Sequence, residues 1–295
     1  MNGAIVAFVA ITYGLSIVMS LLIGFTGGHA SPFIGGALAT MLFPAIAVLA
    51  ARRLETGAPR IEWRRMSLAY VPVALLLIPV ALHASMLLAT ASLEHGIPWQ
   101  GWLTRRPDGL YHTPAERGWG VLTGRALAAR IAVNAIAGLI VVSTLALFEE
   151  VGWRAWLLPR LMGRMNVRSA IVITALLWAL WHVPYALSEI QYIEGIAPRT
   201  TALVVPLGIV GSGLILGWLW VRTQSIWIVA LAHGAHNNWG QYAFKYMGEF
   251  SPAHQVLALC AGDAALLIVG TLLVLSLGSS PHRASESHPS TRSAE

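Results

Sequence analysis

Charge is what this chain has least of. Of its 295 residues only 11% are Asp, Glu, Lys or Arg, while 56% are hydrophobic. A soluble domain carries about 25% charged residues, so water is excluded as this chain's main solvent. Cysteine is almost missing. Cys260 stands alone, which excludes an internal disulfide and a thiolate metal cluster. The first apolar run, opening Met-Asn-Gly-Ala-Ile-Val and reaching Phe25, has no basic residues before it. A cleaved signal peptide has a positive leading region and a shorter apolar stretch, so this run reads as a retained first span. No internal repeat is found, which counts against inverted-repeat transporter folds. The net charge of +6 is assigned to arginines in membrane-flanking loops, and no nucleic-acid partner is expected.

What is present is a series of apolar runs. A helix needs about 20 apolar residues to cross the hydrocarbon. Eight segments qualify: roughly 4–25, 33–51, 67–90, 131–158, 169–187, 201–221, 226–245 and 255–277. Lipid offers no partner to an unpaired backbone group, so all should be helices. The expected fold is all-α: a polytopic integral membrane protein of about eight transmembrane helices. The chain divides into 1–130 (N-terminal spans and a polar stretch), 131–245 (a helical core), 246–277 (the last span) and 278–295 (a tail read as disordered). The polar stretch 91–130 carries Trp99, Trp102, Pro107 and Trp119 and is expected at the far interface, where Trp is favoured. Glycines, among them Gly208, Gly211, Gly213 and Gly217, suit close helix packing.

Arginines orient the bundle. Arg52, Arg53, Arg60, Arg64, Arg65, Arg154, Arg160, Arg164, Arg168, Arg222, Arg283 and Arg292 fall on one side. Arg105, Arg106, Arg117, Arg125, Arg130, Arg199 and Lys245 fall on the other. The richer side is expected in the cytoplasm. With an even number of spans both termini lie there too, in a plasma (inner) membrane protein surrounded by lipid.

Three stretches do not belong in lipid. Glu149 and Glu150 follow the apolar run Ala135 to Phe148; His182 interrupts Leu-Leu-Trp-Ala-Leu-Trp-His-Val-Pro; His233-Gly-Ala-His-Asn237 sits in the seventh span. An ionisable group inside a membrane is a functional suspect. Residues four apart on a helix share a face, so Glu150 can pair with Arg154. Glu149 has only Leu145 and Trp153 at that spacing. Adjacent carboxylates pushed into different environments suit one structural acid and one acid-base group. Interfacial snorkelling is the bland reading of both. Pro184, two residues after His182, removes a backbone bond to Leu180 and can kink the helix there. His233 and Asn237 share a face and can donate to a developing oxyanion. The competing arrangement is a zinc sphere of Glu149, His182 and His233, with His236 as a further donor, although no His-Glu-x-x-His is present. Asp263 reads as a structural acid in the last span, Asn134, His83 and His29 as packing or interface residues, and Trp153 and Trp156 as interface anchors.

Taken in order, Glu149-Glu150-x-x-x-Arg154, Trp178-x-x-x-His182 and His233-x-x-x-Asn237 resemble the CAAX protease and bacteriocin-processing (CPBP, Abi-type) family of intramembrane proteases over roughly 140–242. Trp178 stands where that family often has Phe. The resemblance implies a multi-span fold with an intramembrane catalytic cavity open to the cytoplasm and a peptide or protein substrate. Glu149 would be the general base for a water, helped by His182; His233 and Asn237 would stabilise the oxyanion; Glu150 and Arg154 would hold the base helix. The family is called a metalloprotease family, yet a glutamate-water mechanism requires no cofactor, and zinc is the alternative. Two other functions fit the same polar residues: a proton-coupled transporter using them as a relay, and a catalytically inactive immunity or scaffold protein. Oligomeric state is not legible.

Overall fold

The computed structural model describes residues 3–55, 61, 64–91, 105–113, 119–189, 196–246 and 251–278, with the side chains of 241–246 left aside. Trp99, Trp102, Arg60, Arg117, Arg283, Arg292 and the tail from 279 lie outside the described residues, as does the side chain of Lys245.

Seven helices among the described residues are long and apolar enough to cross a membrane: α1 Gly3–Phe25, α2 Gly36–Leu54, α3 Leu68–Ala91, α4 Gly124–Met162, α5 Val167–Leu187, α6 Pro198–Thr223 and, last in the chain, Pro252–Leu275. The segment expected as the seventh span is also a helix, α7 Ile226–Tyr246, and makes Pro252–Leu275 α8. It does not meet the apolarity of the other seven, because of its His-Gly-Ala-His-Asn-Asn stretch, of which His233, Gly234, Ala235 and Asn238 are buried in protein and Asn237 is exposed. Before α4, a short antiparallel hairpin pairs β1 Tyr111–His112 with β2 Val121–Leu122.

Packing follows the small residues. A Cβ on Gly211 of α6 would lie 2.5 Å from the backbone of Leu266, and one on Gly270 would lie 2.7 Å from the Gly211 carbonyl, so α6 and α8 touch backbone to backbone. The other face of α6 takes α5: added Cβ atoms on Gly213 and Gly217 would meet Ala175 at 2.8 Å and Ile171 at 2.6 Å. Small residues permit this close approach where lipid supplies no hydrophobic drive between helices. Asp263 is buried against the backbone of Gly208, in keeping with a structural acid. α7 lies against α3 and α4.

α4 is not a uniform helix. Asn134–Gly138 and Val151–Leu157 are π-helical, on either side of the glutamates. A π turn leaves a carbonyl without its regular partner, and such turns are frequent at functional sites. In the first, the Asn134 carbonyl accepts from Asn238 Nδ2 of α7 at 2.9 Å.

Two sequence-based expectations do not hold in the fold. Trp153 and Trp156 are fully buried and hold Phe8 of α1 between them, with ring centroids at 5.3 and 4.9 Å. They are core residues and not interface anchors, because the π turn carries that stretch into the bundle. Arg154 is likewise fully buried and leaves the tally of loop arginines; the remaining bias has the same sign.

Candidate active site

Glu149 and Glu150 close the regular part of α4 just before its second π segment. Glu150 is 0% exposed, and one of its oxygens, Oε1, accepts from two donors: Arg154 Nη1 at 2.9 Å and His233 Nδ1 at 2.7 Å. The Glu150–Arg154 pairing expected from their spacing is present. The contact with His233 crosses to α7 and depends on Gly234, where a Cβ would sit 2.0 Å from Ser143 Oγ and 2.6 Å from Ser143 Cα. With hydrogen there, α7 comes close enough to α4 for the imidazole to reach the carboxylate.

Glu149 has no partner on its own helix, as its spacing implies. Its partner comes from α5: Trp178 Nε1 donates to Glu149 Oε2 at 2.9 Å. Glu149 keeps 3% exposure where Glu150 keeps none, so the first acid is the one that a small molecule such as water can approach. Burial of both excludes interfacial snorkelling.

α5 breaks at His182. Its regular part ends at Trp181, and a short helix, Val183–Leu187, restarts beyond the imidazole with Pro184 in its first turn. The ring of His182 donates from Nδ1 to the Trp178 carbonyl at 2.8 Å, since a carbonyl can only accept. His233 Nδ1 is fixed in the same way by the Glu150 carboxylate. Both histidines thereby present Nε2 to the remaining space, the kind of tautomer control that suits a proton-handling imidazole.

One indole gathers these groups. The Trp178 ring meets His233 edge-on at 5.0 Å and His182 at 5.4 Å, and the Arg154 guanidinium lies 4.3 Å from its centre. Trp181 flanks His182 at 4.8 Å. Helix α1 fixes this wall from behind: Tyr13 OH donates to the Leu177 carbonyl, and Trp181 Nε1 donates to Ser16 Oγ at 2.6 Å. Glu149, Glu150, Arg154, His182 and His233 are therefore brought together from α4, α5 and α7. Asn237 is exposed, while its neighbour Asn238 is buried and bonded to α4. His236 is partly buried on the same helix.

Residues 131–239 match the family model for Rce1-like proteins, described as type II CAAX prenyl endopeptidase Rce1-like. The match covers just over a third of this chain. The region opens within α4 and closes on α7, so it holds every motif residue named above. A relative, CAAX prenyl protease 2 of Methanococcus maripaludis, is 28% identical over 88 residues, which are 29% of this chain and 32% of that protein. The chain thus covers under a third of the length of that relative. The CAAX-protease resemblance carried by the three motifs is borne out by both matches.

A metal would need donors that converge. Among the described residues no three His, Cys, Asp or Glu side chains are arranged to hold one. Glu149 Oε2, His182 Nδ1 and His233 Nδ1 have protein partners, which leaves Glu149 Oε1 and the two Nε2 atoms facing the site, and these are not arranged as a metal-holding group. The zinc sphere does not fit this arrangement, and no step below runs through a metal.

Two roles were not legible in the motif string. Trp178 counts there as an aromatic exchange, whereas its N–H makes the cross-helix bond to Glu149. Asn238 is hidden beside Asn237; the doublet was a signal, but only the π turn at Asn134 gives the second Asn its partner.

Proposed function

We propose that this protein is an intramembrane endopeptidase that hydrolyses a peptide bond by means of a Glu149-activated water, in a cavity open to the cytoplasmic face. The observation that carries the reading is that one buried indole touches the less buried glutamate and both imidazoles. The match of residues 131–239 to the Rce1-like family model and the relative named as a CAAX prenyl protease support the reaction class.

In this mechanism Glu149 removes a proton from water while the oxygen attacks the scissile carbonyl carbon. The C=O π pair moves onto oxygen, and the resulting oxyanion is met by the Asn237 amide and by His233 Nε2–H, which is a donor when the ring is the imidazolium held by Glu150. The oxyanion then collapses, the C–N bond breaks, and the proton held by Glu149 passes to the leaving amine. His182 assists by orienting the water through Nε2. Donors aimed at developing charge in a dry site are each worth about 10²–10³ in rate. Glu150 and Arg154 hold the frame. No acyl-enzyme is formed in this reading, since none of the three motifs contains a Ser or Cys.

The first substrate class to test is a prenylated peptide with a CAAX end, in keeping with the relative's name. Purified protein in proteoliposomes should cleave it, and Glu149→Gln should abolish cleavage while the protein still inserts. Parent-like cleavage by Glu149→Gln would overturn the assignment. A proton-linked flux without hydrolysis would decide for transport.

A further inference from the structure

Trp178 makes four kinds of contact at once. Its N–H donates to Glu149 Oε2, its carbonyl accepts from His182 Nδ1, its ring edge meets His233, and its face carries the Arg154 guanidinium. The side chain is almost fully buried, and a Cβ on Gly213 of α6 would come within 3.4 Å of its Cε3. It is therefore wedged between α4, α6 and α7 with little freedom to turn.

Packing alone does not require the nitrogen, because a Phe ring could contribute an apolar surface there. What only the indole supplies is a donor, aimed across two helices at one oxygen of the glutamate. A carboxylate has two equivalent oxygens and a soft terminal torsion. Once one oxygen is held, the other has a fixed direction.

We propose that Trp178 is a positioning residue for the base: its indole N–H pins Glu149 Oε2 so that Oε1 is the oxygen turned to the water. This rests on the peptidase reading above. The same residue fixes the second group of the reaction, because the His182 tautomer is set by the Trp178 carbonyl. One residue thereby sets the direction of the carboxylate through its side chain and of the imidazole through its backbone.

Two variants separate donor from bulk. Trp178→Phe removes the N–H together with part of the ring. A benzothienylalanine placed at 178 keeps the bicyclic shape and replaces N–H by sulfur, which covers the case in which Trp178→Phe folds poorly. Hydrogen bonds to charged groups are strong enough that kcat/KM near neutral pH should fall about tenfold or more in both, with KM little changed. A donor to the ionised carboxylate favours that form, so the acid limb of the pH–rate profile should move to higher pH. A readout free of turnover is the infrared carboxyl stretch of Glu149, assigned by its loss in Glu149→Gln and titrated in parent and variants. It should move in the same direction.

If the benzothienylalanine protein kept the parent's rate, profile and infrared titration, Trp178 would be a packing residue only, with the base assignment intact. If Glu149→Gln cleaved like the parent, the base assignment and this role would fall together.

Discussion

His233 Nδ1 and Arg154 Nη1 donate to the same oxygen, Oε1 of Glu150, at 2.7 and 2.9 Å. A fully buried carboxylate thus joins the π turn of α4 to α7 and holds a fully buried guanidinium. Removing one partner of a buried ion pair leaves an uncompensated charge. Glu150→Ala should lower stability by about 3–5 kcal/mol, read as earlier thermal unfolding in detergent, and should abolish cleavage by releasing His233. A Glu150→Ala protein with the parent's melting temperature would contradict this account.

Gly234 is the contact that lets His233 reach Glu150. A methyl group there meets the backbone of Ser143 as well as its hydroxyl, so trimming the hydroxyl cannot relieve it. Gly234→Ala should cost about 1–3 kcal/mol and most of the activity, and adding Ser143→Ala should restore only part of either. Melting temperatures and initial rates of the single and double variants decide it; full recovery in the double variant would show that the backbone approach is not required.

The two asparagines should separate cleanly. Asn237→Ala removes an exposed side chain assigned to the oxyanion, so the rate should fall by about 10²–10³ with little change in melting temperature. Asn238→Leu removes the Nδ2 donor to the Asn134 carbonyl of the π turn and should lower stability by about 1–3 kcal/mol. Paired thermal and kinetic measurements check both, and the reverse pattern would transfer the catalytic role to Asn238.

Beyond the end of α2, Glu55 takes two hydrogen bonds from Arg160, Nε at 2.6 Å and Nη2 at 2.7 Å. These hold the Glu55 carboxyl below the usual glutamate range, the hydrogen bonding outweighing its partial burial. A depressed folded-state value means that the pair stabilises above the ordinary carboxylate range and ceases to do so as pH falls through the depressed value. Parent protein should melt above Glu55→Gln at neutral pH, and the two curves should converge in acid. A gap that persisted at low pH would rule out the ion pair as its source.

Since the donors near Glu149 do not converge on a metal position, cleavage by purified protein should survive dialysis against a strong chelator. Loss of the rate on chelation and its recovery with zinc would overturn the glutamate-water reading.

Much of this could be read along the chain. Spans are set by length and apolarity, properties local to each segment, and the expected 4–25, 67–90 and 201–221 correspond to Gly3–Phe25, Leu68–Ala91 and Pro198–Thr223. The Glu150–Arg154 pair is legible for the same reason, since both ends lie on one helix four residues apart. The break at His182 follows from Pro184. Contacts between helices obey no such local rule. The bond from Trp178 to Glu149, the shared oxygen of Glu150, the burial of Arg154 with its tryptophans, and the separate fates of Asn237 and Asn238 depend on π turns and on how closely glycines let backbones approach. Sequence determined which groups are out of place in lipid; only the tertiary structure decided which of them meet, because that is fixed by packing across three helices and not by the period of any one.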